Sequence, residues 1–359
     1  MRSIYWVWAA GLLLKGIGAS WDIAWHFRTL RETLSLPHVV NTLGGILCAY
    51  ALYVEWRRRD ARRTGPLLVV IAGIGIFLLA MPFDQWWHMT FGVDLTTWSP
   101  AHLMLFSGTA VSVFGVLMLF VADLARGRDV KGAIRGATTR ERLLLAYFLV
   151  FLAGALYFPL GYNEYTTVGA RIALEAPETM DPELVALARS TDDPAFLNTP
   201  KWLYPTYSVV MAAFLATLVR AWLGRGWALV ALAGLAAERA LADAILTGLG
   251  WPGAALPLQF VGIGVLVELV GIPRAPEVAR AIATGLASTA AGYAYFVYPL
   301  TWKDAVPLTA DSWPLGLAAS ILAALLGLAL ARRGLRVVAD VPHFELRDVR
   351  AWVAAYARR

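Results

Sequence analysis

The chain has 359 residues, 59% of them hydrophobic and 16% charged, with one cysteine and a formal net charge of +6. A lone Cys48 excludes an internal disulfide and a cysteine-rich metal site. Apolar runs of about 20 residues, the length that crosses a bilayer, recur along the chain. The positive balance therefore reflects membrane topology before nucleic acid, and no zinc finger, Walker loop or dinucleotide fingerprint is present.

The pattern predicts ten transmembrane spans, at 4–27, 36–56, 66–88, 99–124, 143–165, 202–223, 226–249, 252–272, 280–300 and 313–334. Backbone in hydrocarbon must satisfy its own hydrogen bonds, and runs rich in Leu, Ala, Gly and Val do so as helices, so the expected fold is all-α. The first span, with only Arg2 ahead of it, reads as a retained helix and not a cleaved signal peptide. Basic clusters at 57–63 ("RRRDARR") and 126–142 ("RGRDVKGAIRGATTRER"), Arg220, Arg225, Arg274, Arg280 and the tail beyond Arg332 fall on one side. Positive loops stay cytoplasmic, which puts both termini inside. Residues 1–334 then form one membrane domain, and 335–359 a cytoplasmic amphipathic tail with His343 on its surface.

In chain order, five helical hairpins follow one another. The first, 4–56, carries "WDIAWHFRTLRETLSLPH" at 21–38, and the second, 66–124, carries "FDQWWHMTFGVDLTTWSPAH" at 83–102. Both read Asp, Trp-His four residues on, a polar turn, Pro, then His. The third hairpin keeps the outline in "FPLGYNEY" at 158–165 without the ligands, with no catalytic role expected for Asn163 and Glu164; the fifth has "YPLTWKDA" at 298–305. The reading is a repeated hairpin of which two copies keep metal-binding residues. An acidic external loop, 166–200, contains a short helix around "MDPELVALARS"; an ordinary exposed loop is the expectation and a lid the alternative.

Residues four apart share a helix face, so Asp22 converges with His26 and Asp84 with His88. Pro37 before His38, and Ser99 with Pro100 before His102, suit a helix cap and first turn, which turns each second histidine back toward its pair. Each hairpin thus offers one carboxylate and two imidazoles at the outer boundary. An acid near a helix C-terminus is unfavourable by up to about 1 kcal/mol, and a bound cation reverses that sign. The competing reading is hydrogen bonding of interfacial histidines. Copper, zinc and iron all suit such a donor set.

Several other groups have plain readings. Trp21, Trp25, Trp86, Trp87 and Trp98 suit an aromatic belt, and alternatively the walls of an apolar pocket. Met81, Met89 and Met104 suit core filling more than thioether ligation. Lys15, Glu238, Arg239, Asp243 and Glu268 lie inside spans and are expected to pair with one another, Arg239 with Asp243 across one turn, or to line water.

The stretch 83–102 resembles the copper-binding hairpin in the C subunit of the particulate methane and ammonia monooxygenases, in which an Asp, a Trp-His, an acidic turn and a Ser- or Thr-Pro-x-His sequence follow in that order. The resemblance implies copper at Asp84, His88 and His102, and oxygen activation. A second triad in that family, with Asn in place of Asp, makes Asp22, His26 and His38 analogous by internal similarity. The chain departs from the family in one extra residue between His88 and His102, in a higher helix count and in having no cupredoxin-like domain, so methane and ammonia are not carried over as substrates. The expected function is a membrane copper protein, an oxidoreductase or a monooxygenase-like subunit, with metal transport or delivery and a structural subunit as alternatives. Its expected partners are the lipid bilayer, further membrane subunits or a second copy, and a small apolar substrate.

Overall fold

The computed structural model describes residues 3–29, 35–59, 61–91, 99–126, 129–190, 202–270, 275–298, 300 and 312–339, excepting the side chains of 61, 62, 88, 160–171, 174, 187, 188, 190 and 333–339. Among them are twelve α-helices and no strand: α1 (Ile4–Arg28), α2 (Leu36–Arg57), α3 (Ala61–Phe91), α4 (Pro100–Ala125), α5 (Val130–Arg135), α6 (Thr139–Glu175), α7 (Pro182–Ser190), α8 (Leu203–Leu223), α9 (Trp227–Gly248), α10 (Gln259–Val270), α11 (Glu277–Val297) and α12 (Trp313–Ala339). Six of these, α2, α3, α4, α6, α8 and α12, contain stretches long and apolar enough to cross a membrane. The protein is thus an all-helical chain with the makings of a multi-pass membrane protein. The helices α1, α9 and α11 are also long, at 25, 22 and 21 residues. Polar residues interrupt them, Lys15 and Asp22 in α1 and Glu238, Arg239 and Asp243 in α9.

Helix starts follow local chemistry. Ser35 and Ser99 accept from the backbone N–H of His38 and His102, capping α2 and α4. Thr138 and Glu141 cap α6 reciprocally, each side chain taking the other's backbone N–H; this satisfies two otherwise orphaned donors. Asp129 accepts from Gly132 N at the start of α5.

Three elements differ from the sequence reading. The helix α6 runs on to Glu175, through Pro159, so the first ten residues of the expected loop 166–200 continue a helix. After a short 3₁₀ turn at Pro177–Thr179 comes α7, and Met180, Leu184 and Val185 are buried against Ile23, Ala24 and Phe27 of α1. The backbone N–H of Asp181 donates to Phe27 O at 2.9 Å. This stretch is therefore packed onto the end of α1 and not an ordinary exposed loop, because Met180, Leu184 and Val185, one helical turn apart, give it a face to bury. In the span expected at 252–272, residues 252–257 are not helical, and α10 begins at Gln259. Two prolines, Pro252 and Pro257, cannot donate to a helical ladder, and Gly253 lies against the Asp243 carboxylate of α9. Lastly, α12 extends to Ala339, past the expected end of the membrane domain at 334.

The core lies where α1, α4, α6, α8 and α9 meet, around Trp8, Leu117, Phe120, Phe148, Leu215, Trp222 and Leu232. At the basic end of the bundle a buried ion network joins the first two hairpins. The Arg63 guanidinium of α3 pairs with Glu55 of α2, and its Nε lies 3.2 Å from Asp123 Oδ1 of α4. Tyr5 of α1 donates to Asp123 Oδ2 at 2.7 Å and also reaches Leu119 O at 3.1 Å. Arg63 and Glu55 are each 1% exposed; at that burial neither charge is tolerable without its partner.

Candidate metal centre

The opposite end of the first hairpin gathers the residues singled out in the sequence. Asp22 and His26 lie one turn apart on α1, with His26 Nε2 3.6 Å from Asp22 Oδ1. Because Ser35 accepts from His38 N, the first turn of α2 is fixed and His38 points back, its Nε2 3.1 Å from the same oxygen. The Ser35 hydroxyl donates to Asp22 Oδ1 as well, at 3.2 Å, from a position that is 1% exposed. The two imidazoles stand 5.8 Å apart between centroids. Asp22, His26 and His38 offer three ligand atoms within 4.8 Å of one another, the arrangement able to hold one metal ion. One anionic oxygen and two imidazole nitrogens make a borderline donor set, which copper, zinc and iron accept.

The second hairpin repeats part of this. His102 N donates to Ser99 Oγ at 3.2 Å, and His102 Nε2 lies 3.4 Å from Asp84 Oδ1. The backbone of His88 lies in α3 one turn beyond Asp84. Its side chain and the whole of Trp98 lie outside the described residues, as do the side chains of Asn163 and Glu164 and all of His343. Aromatic residues are dense along this part of α3 and α4: Phe83 stacks on Trp86, Trp87 meets Phe91, and His102 faces Phe106, which packs on Phe158.

The two hairpins are related by more than these residues. An offset of 62 positions carries Asp22 to Asp84, and one of 64 carries Ser35 to Ser99 and His38 to His102. The first offset also takes Gly11 to Gly73, and the second takes Gly44 to Gly108. These glycines are where the helices of each hairpin cross. A Cβ on Gly44 would stand 2.6 Å from Gly11 O, and one on Gly108 would stand 2.9 Å from Gly73 O. Such close backbone approach at small residues is how membrane helices pack without a hydrophobic drive between them. The glycine pairs were not part of the sequence reading, although their spacing from the histidines was there to be seen.

The remaining singled-out groups separate. Trp21 and Trp25 form a cluster with Trp251, with Trp25 stacked on Trp251 at 5.1 Å, on the side of α1 that meets α7. Met89 is 77% exposed and Met81 49%, so these two side chains do not fill the core as the sequence suggested. Arg239 is 4% exposed and donates to Ser20 Oγ at 3.3 Å. Glu268 faces Arg220, 4.0 Å away. The buried Tyr5–Glu55–Arg63–Asp123 network escaped the sequence reading because Arg63 sits inside "RRRDARR", which reads as a solvated basic loop. The signal available was Glu55 and Asp123, carboxylates at the ends of apolar runs.

No protein-family model, no curated protein and no solved structure matches this chain.

Proposed function

We propose that the chain is a multi-pass membrane metalloprotein, a copper-dependent oxidoreductase or a monooxygenase-like subunit of one, with its metal ligands at the extracytoplasmic face. Asp22, His26 and His38 would hold one ion, and Asp84, His88 and His102 a second. The observation that carries this reading is the convergence of His26 Nε2 and His38 Nε2 on Asp22 Oδ1, from two helices. The donor set fits copper(II), and equally zinc or iron(II). When bound at such a site, copper supplies one-electron redox chemistry and a position for dioxygen. The protein's own residues fix the imidazoles through the Ser35 and Ser99 caps and place aromatic rings beside the second pair.

In this reading ten helices span the bilayer, α1 to α4, α6 and α8 to α12, and both termini are cytoplasmic. The backbone contact of Gly11 with Gly44 closes the seam of the first hairpin below its triad. That supports a bound, working ion over one passed inward between these helices.

The test is metal content. Protein purified without an affinity tag is expected to hold copper with a copper(II) spin-resonance signal, and Asp22→Ala and Asp84→Ala each to lose part of it. Equal metal in all three proteins overturns the proposal.

A further inference from the structure

The two hairpins share their glycine crossing, caps and carboxylates, and among the positions where they differ one facing pair changes the charge beside the site. The offset of 62 that takes Asp22 to Asp84 takes Lys15 to Phe77, and the offset of 64 takes Asn41 to Leu105. The first hairpin therefore has a lysine and an amide where the second has two apolar side chains.

The lysine is held in place. Its backbone N and Cγ lie where a Cβ on Gly44 would be, 2.8 Å from each, so the stem runs in the slot that this glycine leaves. Its ammonium is level with Asn41, to whose Oδ1 it donates at 2.9 Å. Asn41 is in turn seated against Gly18, whose Cβ would stand 2.7 Å from Asn41 N. Since α2 runs inward from His38, the side chain climbs from the level of Gly44 to that of Asn41, toward the triad. Asn41 follows His38 by three residues, so the ammonium lies about 5 Å along the helix axis from that ligand's level. The other side of the ammonium rests on the ring of Phe77, 3.9 Å from its centroid. No described carboxylate pairs with it.

We propose that Lys15 sets the affinity of the first triad, weakening its hold on a divalent cation so that the two triads fill at different metal concentrations. The inference rests on the triads being metal sites. Asp22 and Lys15 together carry no net charge, whereas Asp84 has no lysine at the equivalent position. A positive charge about 7–10 Å from a divalent ion, at an effective dielectric of about 20 and with salt at the open mouth cutting the interaction by about half, weakens binding on the order of tenfold to a hundredfold. The ammonium has climbed to the level of Asn41, about 5 Å from that of His38, whereas the Phe77 ring it touches belongs to a residue two turns, about 10 Å, before Asp84, so it lies farther from the second triad and acts on it less.

The experiment titrates detergent-solubilised full-length protein with zinc against a chromophoric chelator, in an Asp84→Ala background that isolates the first triad and an Asp22→Ala background that isolates the second. Lys15→Gln, which can still bond Asn41, is expected to tighten zinc at the first triad by ten- to a hundredfold and at the second by less. Lys15→Arg keeps the charge and is expected to leave both within about threefold. Should Lys15→Gln fail to fold, Asn41→Asp sets a carboxylate against the ammonium and is expected to tighten the first triad in the same direction. If Asp22→Ala removes a zinc site but the neutralising variants leave its affinity within threefold or lower it, the triad stands and the role of Lys15 is overturned. An equal gain at both triads also overturns it. If neither Asp22→Ala nor Asp84→Ala lowers zinc binding, the metal reading itself fails.

Discussion

The Asp22 carboxylate is useful at the first site because of what reaches it: two imidazoles and one hydroxyl, all on the same oxygen. Removing a ligand should therefore cost more metal than removing a neighbour. His38→Ala is expected to abolish metal at the first triad, while His26→Gln, whose side chain keeps a donor atom, should weaken it less; chelator competition measures both. Ser35 has two tasks, since its Oγ accepts from His38 N and its hydroxyl donates to Asp22. Ser35→Ala and Ser99→Ala are each expected to lower stability by about 1 kcal/mol through the lost cap. Ser35→Ala should also loosen zinc at the first triad, because it frees both the carboxylate and the turn that aims His38. Thermal unfolding with and without zinc separates the two effects. These caps, and the approach of the histidines to Asp22 and Asp84, were legible in the sequence, because i to i+4 spacing and Ser before a Pro-bearing first turn are local rules.

Helix crossings depend on what has no side chain. Gly44 and Gly108 each face a carbonyl or amide of the partner helix closer than any Cβ permits. Gly108→Val is expected to destabilise by at least the ~1–3 kcal/mol typical of overpacking, since the obstacle is backbone and cannot swing aside. Thermal unfolding in detergent reads the loss, and zinc retention at His102 reads its effect on the site. At the basic end, Arg63→Met leaves Glu55 buried without its cation and should cost about 3–5 kcal/mol. Arg63→Met with Glu55→Gln and Asp123→Asn is expected to recover much of that. Between α11 and α12, Arg332 donates to Glu277 at 2.8 Å, and this hydrogen bond holds the Glu277 carboxyl below the usual glutamate range. A depressed carboxyl contributes stability above its unfolded pKa that is lost as pH falls through the folded one, so the contribution should fade below about pH 4. Both partners are about half exposed, 47% and 53%, so the effect is small. Comparing the melting temperature of wild type and Glu277→Gln at pH 7 and pH 3 checks it: the variant should fall less.

Over the whole molecule, the two ends of the bundle have opposite characters. One carries most of the described basic residues and the buried Arg63 network; the other carries His26, His38 and His102, the Trp21–Trp25–Trp251 cluster and the packed segment around α7. The orientation proposed above is tested by membrane-impermeant labelling of single cysteines placed near Arg2 and at Arg128 in a Cys48→Ala chain. Both should react only after the cytoplasmic face is opened, and labelling from the outside would invert the assignment. The α7 segment bears on the first triad because Asp181 and Phe27 join it by backbone to the end of α1. Pro182 opens α7 and suits a first helical position, so the capping helix has a defined start beside that bond.

The sequence by itself determined that the chain is helical, that its apolar runs can cross a bilayer, and which carboxylates and imidazoles share a helix face. Those follow from periodicity and capping, which act within a few residues. Only the tertiary structure decided that Arg63 is buried between two carboxylates and that the segment after α6 packs on α1. It also decided that Lys15 rests on the residue occupying its own place in the second hairpin. Each of these is a contact between segments far apart in the chain, set by which surfaces must be excluded from solvent or lipid together, and no local pattern encodes that choice.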